Sequence, residues 1–215
     1  RYIRSLYGEE RAEDRNRQRY MNRIEGGGRA QSGLDMQEYL IILKEANVVD
    51  AISFGREFYE NLRRYLQEHV QASAGNVGDE GGFALNLKDS TEPFKIFQNV
   101  AREMNARDRF EMGIDAAANN VPQRGKKLFD FYKEIASTFP LSYIEDPFPQ
   151  EDFDSFKKLR EALPLVDIVG DDLTVTNKER MKKAKEAESV NGMIVKPNQI
   201  GTLTETLTAV RQARQ

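Results

Sequence analysis

The chain has 215 residues, of which 39% are hydrophobic and 31% charged, so a buried core and a solvated surface can coexist. Its net charge of −3 gives no electrostatic reason to expect nucleic acid or an anionic membrane as partner, and no run approaches the roughly 18 apolar residues of a membrane helix. Cysteine is absent and His69 is the single histidine, which excludes disulfides, thiol chemistry and a zinc site of His and Cys ligands, and favours a reducing compartment. Any chemistry must come from carboxylates, lysine and arginine.

The first half of the chain divides into an arginine-dense segment and the start of a folded domain. Residues 1–23 are rich in arginine and lack a clean hydrophobic period, so we expect an arginine-rich N-terminal segment there, outside a domain over 24–215. Residues 35–44 predict a strand, and the apolar spacing of residues 48–69 predicts a long amphipathic helix.

From the glycine-punctuated loop at 76–83 onward, strands alternate with helices. A helix is expected from Thr91, which is placed to cap it, to about Met104. The next four predicted strands lie in FEMGIDAA, LSYIEDPF, VDIVGDDL and GMIVKPNQIG, and the helices after them lie near 126–138, 150–162, 177–188 and 203–213. This alternation predicts an α/β fold with a parallel sheet and outer helices, as in a β/α barrel. An open doubly wound sheet is the alternative, although its glycine fingerprint is missing.

Polar side chains end each of these four strands: Asp115, Glu145, Asp171 and Lys196. The ends of parallel strands meet at one rim, so these groups should converge. Three converging carboxylates repel one another unless a cation neutralises them, and an all-oxygen ligand set favours Mg²⁺. Beside such a cation we expect Lys196 to have a lowered pKa that suits a general base. The alternatives are acids that merely cap helices and a lysine that reaches solvent from a strand end.

Glu80 lies in Gly-Asp-Glu-Gly-Gly, where glycines permit unusual backbone angles and close approach to a ligand, although a plain turn explains them equally well. A lysine base, a carboxylate-bound Mg²⁺ and an opposing glutamate together describe one type of reaction. The base removes a proton next to a carboxylate, the metal stabilises the enolate, and an acid protonates the leaving group.

Several long motifs resemble the enolase (phosphopyruvate hydratase) family. They are NVGDEGGFALN, IEDPFPQEDF, VGDDLTVTN and KPNQIGTLTET, and GGGRAQSGLDMQEYLII is similar to the family segment that carries G-G-S-H-A-G and then L-Q-E-F. The resemblance runs from about Ile24 to the C-terminus. It implies an enolase-type, TIM-like barrel that this chain covers only in part. It also implies Mg²⁺-dependent dehydration of 2-phosphoglycerate to phosphoenolpyruvate in glycolysis and gluconeogenesis, by a cytoplasmic homodimer.

The same resemblance implies roles for individual residues. Glu80 would be the acid that assists loss of hydroxide, and Lys196 the base that removes the proton at C2. Gln37 and Glu38 match the Q-E of L-Q-E-F, where they would contact substrate, with Glu38 beside the leaving group. The implied Mg²⁺ ligands are Asp115, Glu145 and Asp171. Asp172 is expected to anchor the loop that enters the next helix.

The chain also departs from the family pattern. Arg29 stands where the family has its active-site histidine, and a guanidinium cannot shuttle protons at neutral pH, although it can bind phosphate. Pro197 replaces a small β-branched residue, Asn119 and Asn120 replace Ser-Glu, and the segment after Gly125 is shorter. These departures raise an alternative, a catalytically impaired enolase-like paralogue that serves as a structural or interaction component of a larger assembly. A different carboxylate–lysine barrel enzyme ranks last, because it does not predict GDEGG or KPNQIG.

Overall fold

A computed structural model describes residues 18–27, 33–70, 76–121 and 125–214. Their strands form one sheet in the order β3-β1-β2-β4-β5-β6-β7. The strands are β1 Arg19–Glu25, β2 Glu38–Leu43, β3 Phe83–Ala84, β4 Phe110–Asp115, β5 Leu141–Glu145, β6 Asp167–Gly170 and β7 Gly192–Met193. The helices are α1 Val48–His69, α2 Glu92–Glu103, α3 Lys126–Thr138, α4 Phe153–Ala162, α5 Lys178–Glu186, α6 Pro197–Ile200 and α7 Leu203–Ala213. The fold is thus α/β, as predicted.

Local signals explain most helix boundaries. Helix α1 begins after Asn47, whose side chain accepts the N–H of Asp50 at 2.9 Å, and it buries an apolar stripe at helical spacing. Helix α5 begins in the same way after Asn177. Thr91 takes the N-cap position of α2, as predicted, but its side chain forms no capping bond. Its hydroxyl donates instead to the carboxylate of Asp89 at 2.8 Å.

Strand directions differ in part from the prediction. Strands β4 to β7 are parallel as expected, but β2 is antiparallel to both of its neighbours, β1 and β4. Two helices, α1 and α2, separate β2 from β4, so the chain returns to the sheet in the opposite direction, whereas a crossover with one helix returns it parallel.

Strand β1 was not predicted. Its register with β2 shifts between Asn22 and Ile24, and such a bulge interrupts the alternation that marks a strand in a sequence. The strand includes Arg23, which is buried, so the end of the arginine-rich segment belongs to the sheet. The remainder of that segment, residues 1–17, lies outside the described residues.

The two faces of the sheet have different environments. On β2, Tyr39 and Ile41 belong to the main core, which the helices cover, whereas Leu40 and Ile42 belong to a small cluster on the opposite face. Gly113 belongs to that second face, since a Cβ there would lie 3.1 Å from Ile42 Cδ1. The described strands do not close into a barrel, and β3 and β7 form the sheet edges. In the described part of the chain, no helix has the length and apolar character needed to cross a membrane.

Candidate active site

A row of four carboxylates crosses adjacent strands at one rim of the sheet. The strand register places Glu25 opposite Glu38, Glu38 opposite Asp115, and Asp115 opposite Glu145. Asp171 follows directly after β6, the next strand. Because β2 is antiparallel, its first residue reaches the rim where the parallel strands end. Residues directly opposite in neighbouring strands lie about 5 Å apart, so the predicted site residues of these strands do converge.

Asp115 and Glu145 are buried and held by neighbouring polar groups. The Gln37 amide donates to Asp115 Oδ2 at 3.2 Å, and the Ala117 N–H donates to Oδ1 at 2.9 Å. Glu145 accepts the hydroxyl of Tyr143 at 2.6 Å. Burial and the charges of neighbouring carboxylates together raise the pKa of Asp115 to about 8 and that of Glu145 to about 7. The rim thus crowds carboxyl groups whose ionised forms repel one another, and each of them favours its protonated form.

Glu38 and Glu80 meet across this rim and share a hydrogen bond. Burial raises the pKa of Glu38 to about 9, and the bond to Glu80 and the charge of Asp115 act in the same direction. Two carboxyl groups can share a hydrogen bond only if one of them keeps a proton, so the pair titrates as a unit. At neutral pH the pair therefore holds a proton that it can donate.

Lys196 lies on the other side of the carboxylates, where its ammonium donates to Asp171 Oδ2. The Gln199 amide donates to Asp171 Oδ1 at 3.1 Å. The Lys196 side chain is 48% exposed, as the alternative of a lysine that reaches solvent expects. Burial lowers the pKa of Lys196, but the hydrogen bond to Asp171 and that carboxylate's charge outweigh it, so the pKa is raised. A lowered pKa is expected beside a bound cation, so for the metal-bound site it stays a prediction.

A cleft of about 540 Å³ opens on this face, and Tyr20, Asn22, Glu38, Glu80 and Glu145 are among the residues that line it. A second cavity, of about 270 Å³, lies where β4 begins and is lined by arginines and apolar residues. Raised carboxyl pKa values mark the first cleft and not the second, so the first is the candidate site.

The whole chain can be placed in a family. Residues 18–127 and 119–215 match the sequence profile of the family described as “Enolase, C-terminal TIM barrel domain”. This chain belongs to the enolase family. The two matched stretches overlap at residues 119–127, next to the segment after Gly125 that the sequence predicts to be short.

Three curated enolases are similar over nearly the whole chain. The enolase of Sulfolobus acidocaldarius is 39% identical over 207 residues, which cover 91% of this chain and 50% of the relative. The enolases of Methanocaldococcus jannaschii and Aeropyrum pernix are each 37% identical over 90% of this chain and 48% of their own length. The chain thus spans about half the length of the curated relatives it matches. An open sheet in place of a closed barrel agrees with this partial coverage.

Within this enolase chain, a second group of acids lies beside Asp171. Oxygens of Asp146, Asp171 and Asp172 lie within 4.8 Å of one another, close enough to hold a metal. Both oxygens of Asp146 accept backbone N–H groups, from Asp171 at 3.0 Å and Asp172 at 2.7 Å. Asp172 Oδ2 accepts the Asn119 amide at 2.9 Å, which agrees with its predicted bracing role. These oxygens already hold the loop together, and among the described residues the predicted set of Asp115, Glu145 and Asp171 does not bring its oxygens this close to one another.

Sequence reasoning missed three residues that shape the site. Asp146 follows Glu145 directly and is 3% exposed, and its backbone has the unusual φ of 41°. Tyr143 lies two residues before Glu145 on the same strand, so the period of two could have placed both side chains on one face. Gln199 lies three residues after Lys196, but nothing in its sequence position indicates a contact with Asp171. The predicted residue Arg29 lies outside the described residues.

Proposed function

We propose that the protein carrying this chain is an active enolase, which dehydrates 2-phosphoglycerate to phosphoenolpyruvate with Mg²⁺. The observation that supports this most strongly is the arrangement of the rim. A proton-holding carboxyl pair, Glu38 and Glu80, lies on one side of the carboxylates, and Lys196 lies on the other. Elimination needs both groups, because one proton must leave carbon while another is given to the departing hydroxide.

The proposed metal ligands are Asp115, Glu145 and Asp171. Their chemistry fits Mg²⁺, which prefers oxygen ligands, and the raised pKa values of Asp115 and Glu145 reflect burial and charge repulsion that a cation would relieve. When bound, the ion would neutralise these carboxylates and the charge that develops on the substrate, and so weaken the pairing of Lys196 with Asp171.

The protein groups would then carry the two proton transfers. Neutral Lys196 takes the C2 proton on Nζ, the electron pair of the broken C2–H bond forms the C2–C3 double bond, and the C3–O bond breaks with its pair on the departing oxygen. The proton shared by Glu38 and Glu80 passes from Glu80 to the departing hydroxide, which leaves as water. Gln37 orients Asp115, to which its amide donates, and is also proposed to contact substrate.

The remaining proposals concern phosphate binding, assembly and location. Arg29 carries a permanent positive charge, which suits a phosphate contact. We also propose a homodimer that works in glycolysis in the cytoplasm, as the family resemblance implies. The absence of cysteine suits that reducing compartment.

The test is to purify the whole protein and follow phosphoenolpyruvate formation by its ultraviolet absorbance, with saturating Mg²⁺. We expect turnover that Lys196→Ala lowers by about 10²–10⁴-fold, as loss of a general base does. Lys182→Ala is the matched control, because that lysine is exposed on α5 and pairs with Glu186. Turnover that is absent, or unchanged in Lys196→Ala, contradicts the proposal.

A non-catalytic paralogue is the second candidate, and the pairing of the Lys196 ammonium with Asp171 favours it. It predicts that Mg²⁺ raises the melting temperature without any turnover by the same protein. Normal turnover excludes it.

A further inference from the structure

Glu25 is the one member of the carboxylate row that the proposed reaction does not use. It is 2% exposed and lies at the end of β1, opposite Glu38. Its Oε1 accepts the backbone N–H of Glu80 at 3.0 Å and that of Gly82 at 2.8 Å. A carboxylate that accepts backbone N–H groups makes strong, charge-assisted hydrogen bonds. Glu25 therefore binds the backbone of the loop that carries the proposed acid.

The glycines of this loop make room for that carboxylate. A Cβ on Gly78 would lie 1.7 Å from Glu25 Oε2, and a Cβ on Gly82 would lie 2.9 Å from Glu25 Cγ. Gly81 has a φ of 82°, which strains any residue with a side chain. The glycines of Gly-Asp-Glu-Gly-Gly thus have a structural reason that the sequence does not reveal: the loop wraps around a buried side chain.

Other bonds fix the loop on its remaining sides. The Gly78 N–H donates to the Gly82 carbonyl at 2.9 Å, and the Tyr59 hydroxyl of α1 donates to the Gly81 carbonyl at 3.1 Å. Strand β3 pairs with β1 directly after the loop. Glu25 Oε2 nevertheless is buried and has no hydrogen-bond partner among the described residues. Leaving such an atom unpaired costs free energy, so a purely structural role does not explain this carboxylate well.

We propose that Glu25 is a positioning residue, which holds loop 78–82 so that the carboxyl group of Glu80 meets that of Glu38. Glu25 itself contacts neither substrate nor metal. The catalytic consequence rests on the proposed function, in which Glu80 is the acid, whereas the hold on the loop does not. The two parts can therefore be tested separately.

Hydrogen exchange of the whole protein tests the hold on the loop. Glu25→Ala removes the acceptor of two amides, so peptides covering residues 76–84 should exchange faster than in the wild type. Asn177→Ala is the matched control, because the Asn177 side chain also accepts two backbone N–H groups, those of Glu179 and Arg180. It should speed exchange only at the start of α5. Unchanged exchange over residues 76–84 in Glu25→Ala overturns the proposal, whether or not the wild type has activity.

Steady-state kinetics test the consequence for catalysis. Glu25→Ala should lower kcat by about 100-fold, the effect of displacing a catalytic group by about 1 Å, and leave KM and the Mg²⁺-induced rise in Tm unchanged. Glu25→Gln keeps an oxygen that can accept both amides, so it should retain most of kcat. Asn177→Ala should lower Tm without lowering kcat. Faster loop exchange with wild-type kcat in Glu25→Ala, or an equal loss of kcat in Glu25→Gln, contradicts the positioning role. Absence of turnover in the wild type would contradict the proposed function instead.

Discussion

The acid side and the base side of this site are built differently. Glu38 lies on a strand with a neighbour on each side, and the loop of Glu80 is held by Glu25 and Tyr59. Lys196 follows the two-residue edge strand β7, and its side chain is 48% exposed. The acid side is thus organised by several hydrogen bonds to its loop, whereas the Lys196 ammonium is held by one carboxylate, that of Asp171.

This difference shows how the same carboxylate cluster can prepare two opposite proton transfers. Burial beside other acids raises the pKa of Glu38, which keeps a proton available for donation. The same negative charge raises the pKa of Lys196, which opposes its use as a base. A less negative carboxylate cluster would lower the pKa of Lys196, and so favour its use as a base, without moving either side chain.

The largest expected effect comes from Asp171, which serves both the proposed metal and Lys196. Asp171→Asn should lower kcat by at least about 100-fold, because it removes charge from a metal ligand and the partner of the lysine. Asp172→Asn is the matched control, since that neighbouring carboxylate contacts Asn119 instead. Measured kcat and the Mg²⁺-induced shift in Tm should both fall only in Asp171→Asn. Equal losses in the two variants would contradict the assignment of the metal ligand.

Asp146 should matter for stability more than any other acid at the rim. Asp146→Ala leaves the buried N–H groups of Asp171 and Asp172 without their acceptor, so we expect a loss of about 3 kcal/mol in the free energy of unfolding. Asp154→Ala, at an exposed position in the first turn of α4, should cost less than about 1 kcal/mol. Urea unfolding of both variants measures the difference, and similar costs would refute the bracing role.

The stability of the metal-free protein should fall as pH rises. Folding raises the pKa of Glu38 to about 9 and that of Asp115 to about 8, so the native state binds more protons than the unfolded state above about pH 4.5. This contribution is complete below the unfolded pKa and disappears as pH rises through the folded values. Melting temperatures at about pH 6 and about pH 8.5 measure it. A rise in Tm over that interval, or a fall that Glu38→Gln leaves unchanged, would contradict these shifts.

Tyr143→Phe should have the smallest effect. It removes one hydrogen bond to Glu145, worth about 1 kcal/mol, without changing the packing of the ring. This bond lowers the pKa of Glu145. The variant should therefore also move the pH dependence of Mg²⁺ binding to higher pH. Thermal melting with and without Mg²⁺ across the pH range measures both effects. An unchanged pH dependence would show that Tyr143 does not tune this carboxylate.

The sequence predicts elements well where one periodic pattern dominates. The amphipathic spacing predicts α1 at its observed bounds, as it does α3 and α7. It could not predict β1, because a bulge breaks the alternation there, or the direction of β2, because that depends on how α1 and α2 pack.

The residues of the site divide in the same way, into those that a sequence pattern predicts and those that depend on three-dimensional packing. Strand-end acids could be predicted because parallel strands end at one rim, and family motifs add Glu38 and Glu80. The contacts of Asp146 and Gln199 depend on loop conformation, which leaves no periodic pattern in the sequence. The pKa of Lys196 depends on which charges surround it in three dimensions, which the sequence alone does not give.

The division of the site into an acid side and a base side is tested most directly by exchange of the C2 hydrogen of 2-phosphoglycerate with solvent deuterium. Exchange requires the base alone, whereas dehydration requires the acid as well. With Mg²⁺ present, we predict that Glu80→Gln loses dehydration but keeps exchange, and that Lys196→Met loses both. Exchange that survives in Lys196→Met, or disappears in Glu80→Gln while Mg²⁺ and substrate still bind, would contradict this account.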